Sequence, residues 1–222
     1  MAAVDLFDVL GPIAVGPSSS HTAGAARIGR VCRNLLGEPV LRADISLYGS
    51  FSDTYWGHGT DKALIGGLLG LRTDDPSIRD SYALAQRAGM VTRLFIKKDV
   101  RFHPNTVAIE AEGDTRRVSI RASSIGGGQI RLDELDGFAL GVSCAFDTII
   151  LPHVDMPGIM AGITREMAEA RINIATARLS RSGKGREAVA VIEVDTTPGE
   201  ELLDRLKKLP HISSVLFIPK LI

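Results

Sequence analysis

The alternation of apolar and polar residues divides the chain into two parts with different rhythms. In the first part, the spacing predicts helices over residues 23–36, 59–71 and 77–88 and a strand over residues 40–49. Five more strands are predicted in series, over residues 92–97, 106–112, 116–123, 129–135 and 138–143. Helices grouped ahead of a series of strands are typical of an α+β domain with a largely antiparallel sheet, which we expect over residues 1–145.

The second part, which we place at residues 147–222, has a more regular rhythm. Apolar runs predict strands over residues 148–153, 172–180, 188–194 and 213–218, and helical spacing predicts helices over residues 158–170 and 198–208. The order βαββαβ is that of a ferredoxin-like domain.

Composition narrows the classes of function. The 222 residues carry no net charge, which argues against nucleic acid or an anionic membrane as a partner. No apolar run reaches the roughly 20 residues that span a bilayer, and the acidic start differs from a secretory signal, so we expect a cytoplasmic protein. The two cysteines, Cys32 and Cys144, form no C-x-x-C pair. We therefore predict no metal site held by this chain alone.

The most informative motif is GPSSSHTAG at residues 16–24. Its hydroxyls and the imidazole of His21 lie where the first helix is predicted to begin, with Ser20 or Thr22 as the capping residue. A helix start offers unpaired backbone N–H groups to a carboxylate or phosphate, and His21 titrates near neutral pH. A capped helix behind a polar loop, without a ligand, is the alternative interpretation.

Three other segments are candidates for chemistry. His58 is predicted to lie in a glycine-flanked loop, either as a functional group or as a histidine bonded to the backbone, and Thr60 to cap the next helix. The glycine-rich residues 123–128 suit either an anion site or a flexible hairpin tip. Residues 103–106, HPNT, are first of all typical of a turn.

Together these motifs resemble a known family. The strings GPIAVGPSSSHTAGAARIGR at residues 11–30, GHGTDKA at 57–63, HPNT at 103–106 and SIGGG at 124–128 are similar, in the same order, to the beta chain of bacterial iron–sulfur-dependent L-serine dehydratase. The resemblance implies deamination of L-serine to pyruvate and ammonia. It also implies an alpha chain as partner, and a 4Fe-4S cluster ligated by that alpha chain rather than by this chain.

The same region also resembles the allosteric substrate-binding domain of some phosphoglycerate dehydrogenases. An amino-acid-binding regulatory module without its own catalysis is therefore an alternative function, and a scaffold that only assembles another enzyme is a third. A cysteine-rich alpha chain encoded alongside would favour the first reading, and serine binding without any lyase would favour the second.

The family resemblance implies roles for individual residues. Dehydration of serine must remove an unactivated α-proton and expel a hydroxyl, so it needs a base and a Lewis acid. The cluster of the alpha chain would supply the Lewis acid, while His21 and Thr22 are expected to position the substrate or relay a proton. The base is left unassigned, because the alpha chain can contribute it. The expected substrate-binding residues are Ser18, Ser19, Ser20, His58, Thr60, Gly126 and Gly127.

The second part resembles the ACT regulatory domain through a Pro-Gly turn and a following Asn. The implied regulatory residues are His153, Asp155, Pro157, Gly158 and Asn173. Asp155 stands where related turns often carry Asn, and an ionised carboxylate favours a ligand ammonium over a ligand carboxylate. Alternatively, the domain only forms a homodimer by pairing the edges of its sheet.

Overall fold

The computed structural model describes residues 18–98 and 101–221. Residues 16 and 17 of the serine-rich motif therefore lie outside the described residues, as do residues 11–15 of the longer family string and the acidic N-terminal stretch. The chain forms two compact units. One runs up to Gly137 and includes Gly141–Ser143, and the other comprises Phe138–Leu140 and the chain from Cys144 onward.

The part of the chain before Asp147 mixes helices with a six-stranded sheet. Its elements in order are a π-helical turn (Ser19–Gly24), α1 (Ala25–Leu36), β1 (Arg42–Tyr48), α2 (Gly49–His58), α3 (Thr60–Leu69), a 3₁₀ turn (Pro76–Asp80), α4 (Ser81–Arg87), β2 (Val91–Lys97), β3 (Thr106–Glu112), β4 (Arg117–Gly126), β5 (Gln129–Leu135) and β6 (Phe138–Val142). Most of the strands predicted from the sequence are confirmed to within a few residues.

The sheet has the order β2-β1-β3-β4-β5-β6. Strand β1 pairs in parallel with β2, whereas the β1–β3, β3–β4 and β4–β5 pairs are antiparallel. Alternate residues of the central strands, such as Ile45, Ile109 and Ile120, are buried because one face of the sheet is covered by helices. The α+β class with a largely antiparallel sheet is thus confirmed.

Helices α1 and α3 approach each other at two glycines. A Cβ on Gly29 would lie 2.3 Å from the carbonyl oxygen of Leu64, and a Cβ on Gly67 would lie 2.1 Å from that of Ala26. Only glycine permits this backbone contact. The close crossing holds the start of α1 beside the junction between α2 and α3, which is where the histidines of the two main motifs lie.

The second unit is built on a four-stranded sheet with two helices. Its elements are β7 (Asp147–Val154), α5 (Ile159–Glu169), β8 (Ile174–Arg181), β9 (Glu187–Val194), α6 (Glu200–Lys207) and β10 (Leu216–Ile218), and its sheet order is β10-β7-β9-β8. Apolar residues of the helices, including Ile163, Met167 and Leu206, pack on Ile149 and Ile192 of the central strands. The βαββαβ order predicted from the sequence is confirmed.

Three local predictions are wrong. His58 does not lie in a loop, because Gly49–His58 is a helix, stabilised by the complete burial of Phe51 although its two glycines disfavour helix. Thr60 does not cap α3: Gly59 occupies the N-cap position, with no side-chain capping bond. Neither Ser20 nor Thr22 caps the first helix, because a π turn precedes it and Ser18 is the capping residue.

Within the described ranges, no helix combines the length and the apolar content needed to cross a bilayer.

Candidate active site

The serine-rich motif forms a π-helical turn that leads directly into α1. Ser18 has extended backbone angles, and its hydroxyl accepts a hydrogen bond from the backbone N–H of His21 at 3.3 Å. The carbonyl of Ser18 also accepts from the N–H of Thr22. Ser18, Ser19, Ser20 and His21 stay half-buried, whereas Thr22 is buried. The wider turn therefore directs the motif's imidazole and hydroxyls into one partly enclosed cluster.

Among the described residues, the hydrogen-bond partners of the two ring nitrogens of His21 are all hydroxyls. Its Nδ1 lies 3.3 Å from both Ser18 Oγ and Ser20 Oγ, and its Nε2 lies 3.1 Å from Ser50 Oγ, at the start of α2. A hydroxyl can donate or accept, so either tautomer of the imidazole keeps its hydrogen bonds. Burial, and then the nearby ring of His58, lower the pKa of His21 from its ordinary value. His21 is therefore held neutral in conditions where an exposed histidine begins to gain a proton.

His58 lies at the C-terminal end of α2, beside His21. The two rings have centroids 4.9 Å apart, and the ring of Phe51 packs edge-on against His21 at 5.3 Å. Thr22 Oγ1 donates to the carbonyl of His58 at 3.3 Å, which ties the π turn to the end of α2. The Nδ1 of His58 is buried and has no hydrogen-bond partner among the described residues. A buried polar atom without a partner is costly, so this nitrogen is available to a ligand or a water.

The start of α3 adds two more such atoms. Thr60 Oγ1 and Asp61 Oδ1 are buried and lack partners within the described part of the chain. The other carboxylate oxygen of Asp61 accepts a hydrogen bond from the hydroxyl of Tyr82 at 2.9 Å. Burial first, and then this bond, raise the pKa of Tyr82. Three unpartnered polar atoms therefore fall within four consecutive residues, 58–61.

The HPNT motif contacts the start of α2. A Cβ on Gly49, whose φ is +53°, would lie 2.6 Å from the carbonyl oxygen of Pro104, and that oxygen also accepts from the N–H of Phe51. The carbonyl of Asn105 accepts from the N–H of Ser124 at 2.9 Å. The motif is thus a turn, as its residues predict, and it fixes the start of α2 where Ser50 meets His21.

Gly24 and Ser124 bring the π turn against strand β4. A Cβ on Gly24 would lie only 2.1 Å from Ser124 Oγ, so this position needs glycine. Ser124 is fully buried, and its hydroxyl has no partner among the residues described.

The glycine-rich segment forms the hairpin turn between β4 and β5. Gly126, Gly127 and Gly128 all have positive φ, and a Cβ on Gly126 would meet nothing within 4 Å. The carbonyl of Gly128 accepts a hydrogen bond from Arg27 Nη1 of helix α1 at 2.7 Å. The structure therefore connects this turn to the helix that follows the serine motif, and leaves open space beside Gly126.

In the second unit, Asp155 already has partners. Its Oδ2 accepts from Arg181 Nη1 at 3.0 Å and from the N–H of Gly185 at 3.2 Å. The Gly185 bond, and then Arg181, lower the pKa of Asp155. His153, in the same turn, is buried, and its Nδ1 lies 2.8 Å from the carbonyl oxygen of Leu151. Pro157 is exposed. Gly158 is the N-cap residue of α5 and has φ +92°.

Asn173 lies directly before β8, at the opposite end of that strand from Arg181. Its Nδ2 donates to Asp195 Oδ2 at 2.5 Å, next to the pair Ile174–Val194, whereas Asp155 contacts Arg181 at the far end of β8. An eight-residue strand is about 25 Å long at roughly 3.3 Å per residue. One small amino acid cannot touch both residues of a single chain.

The described side chains do not fit an iron–sulfur cluster. Cys32 and Cys144 are both buried, and burial raises the pKa of the Cys32 thiol. Across residues 18–98 and 101–221, no three side chains of His, Cys, Asp or Glu are grouped as metal ligands. A cluster needs several thiolates, so no step of chemistry is assigned here to metal held by these residues.

Sequence reasoning missed two residues of this region. Ser50 contacts His21. The sequence feature that could have indicated Ser50 is the Gly49-Ser50 pair at the junction between a strand and a helix. Arg27 is 8% exposed and contacts the glycine turn, and its signal was a charged residue inside the apolar run of α1.

Comparisons with known proteins agree with the motifs. The family model described as "Serine dehydratase beta chain" matches residues 3–134, and the "ACT domain" model matches residues 148–211. The "Probable L-serine dehydratase, beta chain" of Bacillus subtilis (strain 168) is 42% identical over 210 residues, which cover 95% of this chain and 96% of that protein. The "L-serine dehydratase, beta chain" of Peptoniphilus asaccharolyticus is 31% identical over 96% of both chains.

A third relative is a phosphoglycerate dehydrogenase, the other class of protein that the first part of the sequence resembles. The "D-3-phosphoglycerate dehydrogenase" of Bacillus subtilis (strain 168) is 26% identical over 87% of this chain, but only over 37% of its own length. The whole-length matches and the family model covering more than half of the chain decide the assignment. The chain belongs to the serine dehydratase beta-chain family and carries a C-terminal ACT domain.

Proposed function

We propose that this chain is the beta subunit of an L-serine dehydratase, a lyase component that converts L-serine to pyruvate and ammonia together with an alpha chain. Support comes from the whole-length similarity to two proteins named as beta chains of that enzyme. The structural observation that carries the proposal is the cluster around His21. There, a neutral imidazole surrounded by hydroxyls contacts a second histidine with an unpartnered ring nitrogen.

The cluster suits substrate positioning and proton transfer. His21 can accept or donate a proton at either nitrogen without losing its hydrogen bonds, because Ser18, Ser20 and Ser50 are all hydroxyl partners. Its lowered pKa keeps it neutral, and therefore able to accept a proton, near pH 7. Thr22 positions the end of α2 through the His58 carbonyl. The polar atoms of His58 and Thr60 that lack partners are the groups we assign to substrate binding.

The remaining chemistry belongs to the partner in this proposal. The alpha chain would carry the 4Fe-4S cluster, and the Lewis acidity of that cluster would be available for departure of the serine hydroxyl. This division agrees with the chemistry of the described thiols, which are buried and lie in separate units.

Reconstitution tests the proposal. The chain is purified alone and with an alpha chain from the same genome, both without oxygen, and pyruvate formation from L-serine is measured. We expect pyruvate only from the mixture and absorbance from a cluster only where the alpha chain is present. Pyruvate formation by this chain alone would contradict the division of labour, and an inactive mixture with a loaded alpha chain would contradict the function.

For the ACT domain we propose a homodimer that binds an amino acid between two copies. Because Asp155 and Asn173 lie at opposite ends of β8, a ligand that touches both must take the turn of one copy and the Asn of another. Both residues have internal partners, so binding must exchange those bonds. Sedimentation with and without L-serine tests this: a monomer at all concentrations would exclude a shared site.

A further inference from the structure

Arg27 of the first unit is a buried cation, and most of its N–H donors have no partner among the described residues. Its guanidinium has five N–H donors, yet its one hydrogen bond within the described residues is from Nη1 to the carbonyl of Gly128. The Nε of Arg27 is buried without a partner. Arg27 is 8% exposed, so the cationic group is removed from most of the water that would otherwise solvate it.

No carboxylate within the described ranges forms an ion pair with Arg27. Its charged neighbour is Arg30, one turn further along α1, and burial, followed by that second cation, lowers the pKa of Arg27. A buried cation beside another cation is unfavourable unless an anion compensates it. Among the described residues this positive charge therefore has no counter-ion, and a bound anion would supply one.

The surroundings of Arg27 are suited to an anion. The carbonyl that it binds belongs to the turn of residues 126–128, where three successive glycines with positive φ remove all side chains from the approach. The space beside Gly126 is open. Ser124, two residues before this turn, contributes a fully buried hydroxyl that has no partner in the described part of the chain and can donate to an anion.

We infer that Arg27, the turn of residues 126–128 and Ser124 form a receptor for a small anion that bears a carboxylate or a phosphate. Arg27 presents its remaining donors as a fork, the arrangement that matches the two oxygens of a carboxylate. The inference deepens the proposed function, because in a serine dehydratase the carboxylate would be that of L-serine. It rests on the proposed function only for the identity of the ligand.

Binding to the full chain without its partner tests the inference independently of turnover. The Nε–H resonance of Arg27 is followed by ¹⁵N NMR, and thermal unfolding is measured in parallel, while L-serine, inorganic phosphate or chloride is added at equal ionic strength. We expect L-serine or phosphate, but not chloride, to move the resonance and to raise the unfolding temperature. Movement by L-serine alone identifies an amino-acid carboxylate, and movement by both identifies a general anion receptor.

Two variants separate binding from structure. Arg27→Gln should weaken binding about 10- to 150-fold, the effect of a lost hydrogen bond to a charged group. Arg30→Gln removes a charge from the next turn and should leave binding unchanged. Arg27→Lys keeps the charge without the fork, should bind more weakly than the parent, and decides the question if Arg27→Gln does not fold. The inference is overturned if neither anion has an effect beyond that of chloride, or if the effect survives in the Arg27 variants. Pyruvate formation by the complex is measured separately, so a failed anion site and a failed dehydratase assignment remain distinguishable.

Discussion

The two regions that the motifs mark as functional differ in how their polar groups are satisfied. Around the serine motif, His58 Nδ1, Thr60 Oγ1, Asp61 Oδ1, Ser124 Oγ and Arg27 Nε are all buried without partners among the described residues. In the ACT domain, by contrast, Asp155 and Asn173 each bind another side chain of the same domain. Among the described residues, the first region leaves several buried polar atoms without partners, whereas the second is closed by internal bonds.

This difference bears on what each region does when a ligand arrives. A site with unpartnered buried atoms gains hydrogen bonds at little structural cost, because the desolvation of those atoms has already occurred during folding. A site whose groups are paired must break one set of bonds to form another, so its net gain is smaller. The first arrangement is typical of tight, oriented binding for chemistry, and the second of weaker binding that can be coupled to a change of state.

The largest effect should come from His21→Ala in the reconstituted complex. Loss of a group that transfers a proton typically lowers turnover by roughly 10²–10⁴-fold. Because burial and His58 lower the pKa of His21, the parent's kcat/KM should fall with acid only below the ordinary value of 6.5, and this limb should disappear in the variant. Steady-state kinetics between pH 5 and 9, as a suitable range around that value, measure both effects.

His211→Asn is the matched control for that experiment. His211 has φ +68° and belongs to the second unit, and asparagine tolerates this backbone conformation. We expect its turnover to match that of the parent. Near-normal turnover of His21→Ala in a complex of normal composition would show that His21 has only a structural role. The contrast between the serine-motif region and the ACT domain would then have no functional basis.

A smaller but clear effect on stability is expected for Gly24→Ala. The new Cβ would lie 2.1 Å from Ser124 Oγ and 2.8 Å from Ser124 Cβ, so backbone or strand must move. Overpacking of this kind typically lowers the free energy of unfolding by about 1–3 kcal/mol. Urea denaturation of the isolated chain measures the loss.

Two further variants show whether the loss of stability in Gly24→Ala comes from the contact with Ser124. Adding Ser124→Gly removes both clashing atoms and should restore much of the stability. Gly57→Ala is the control, because its Cβ would meet nothing within 4 Å, and it should be neutral or slightly stabilising. An unaffected Gly24→Ala protein would show that the π turn is not held against β4 as the structure describes.

The periodicity of apolar residues and the positions of glycine and proline were sufficient to predict most of the fold. Strands over residues 106–112 and 129–135 are observed with the predicted bounds, because alternation between a buried and an exposed face is a local pattern. Helix α2 was missed because its stability comes from the burial of Phe51 rather than from its own propensity. A helix that is stabilised mainly by tertiary packing is hard to recognise from the pattern of its own residues.

For the site, the sequence was informative about motifs and uninformative about their contacts. The motif residues His21 and His58 were singled out by their unusual neighbours, yet their proximity depends on the crossing of α1 and α3 at Gly29 and Gly67. Ser50 and Arg27 belong to ordinary-looking segments and become notable only through what they touch. The end-to-end separation of Asp155 and Asn173 likewise follows from the register of β8 and β9, which no motif encodes.

A moderate effect is expected for Ser50→Ala. The hydroxyl holds Nε2 of His21 at 3.1 Å, and loss of one neutral hydrogen bond costs about 0.5–1.5 kcal/mol, or roughly 2- to 13-fold in rate. Ser50 orients His21, so the acid limb of the pH profile should move along with turnover, and Ser50→Thr should restore both. The ¹⁵N shifts of the His21 ring report the tautomer directly. A loss of rate with an unchanged pH profile and unchanged ring shifts would contradict the positioning role.

The smallest effect concerns the closed site of the ACT domain. The Gly185 N–H and Arg181 lower the pKa of Asp155, so the folded state holds this carboxylate ionised in acid where the unfolded chain begins to protonate it. Its contribution to stability is therefore present above the ordinary pKa of 3.8 and is lost as the pH falls through the lowered value. Arg181→Gln should move the pKa of Asp155 back toward 3.8, as measured by ¹³C NMR of the carboxyl group, with little effect at neutral pH because exposed ion pairs contribute little. Lys184→Gln removes a neighbouring charge from the same turn and should leave the pKa of Asp155 unchanged. If Arg181→Gln leaves it unchanged as well, Asp155 is not closed by this contact. Its carboxylate would then be held by the Gly185 N–H alone, and the contrast between the two regions would be weaker.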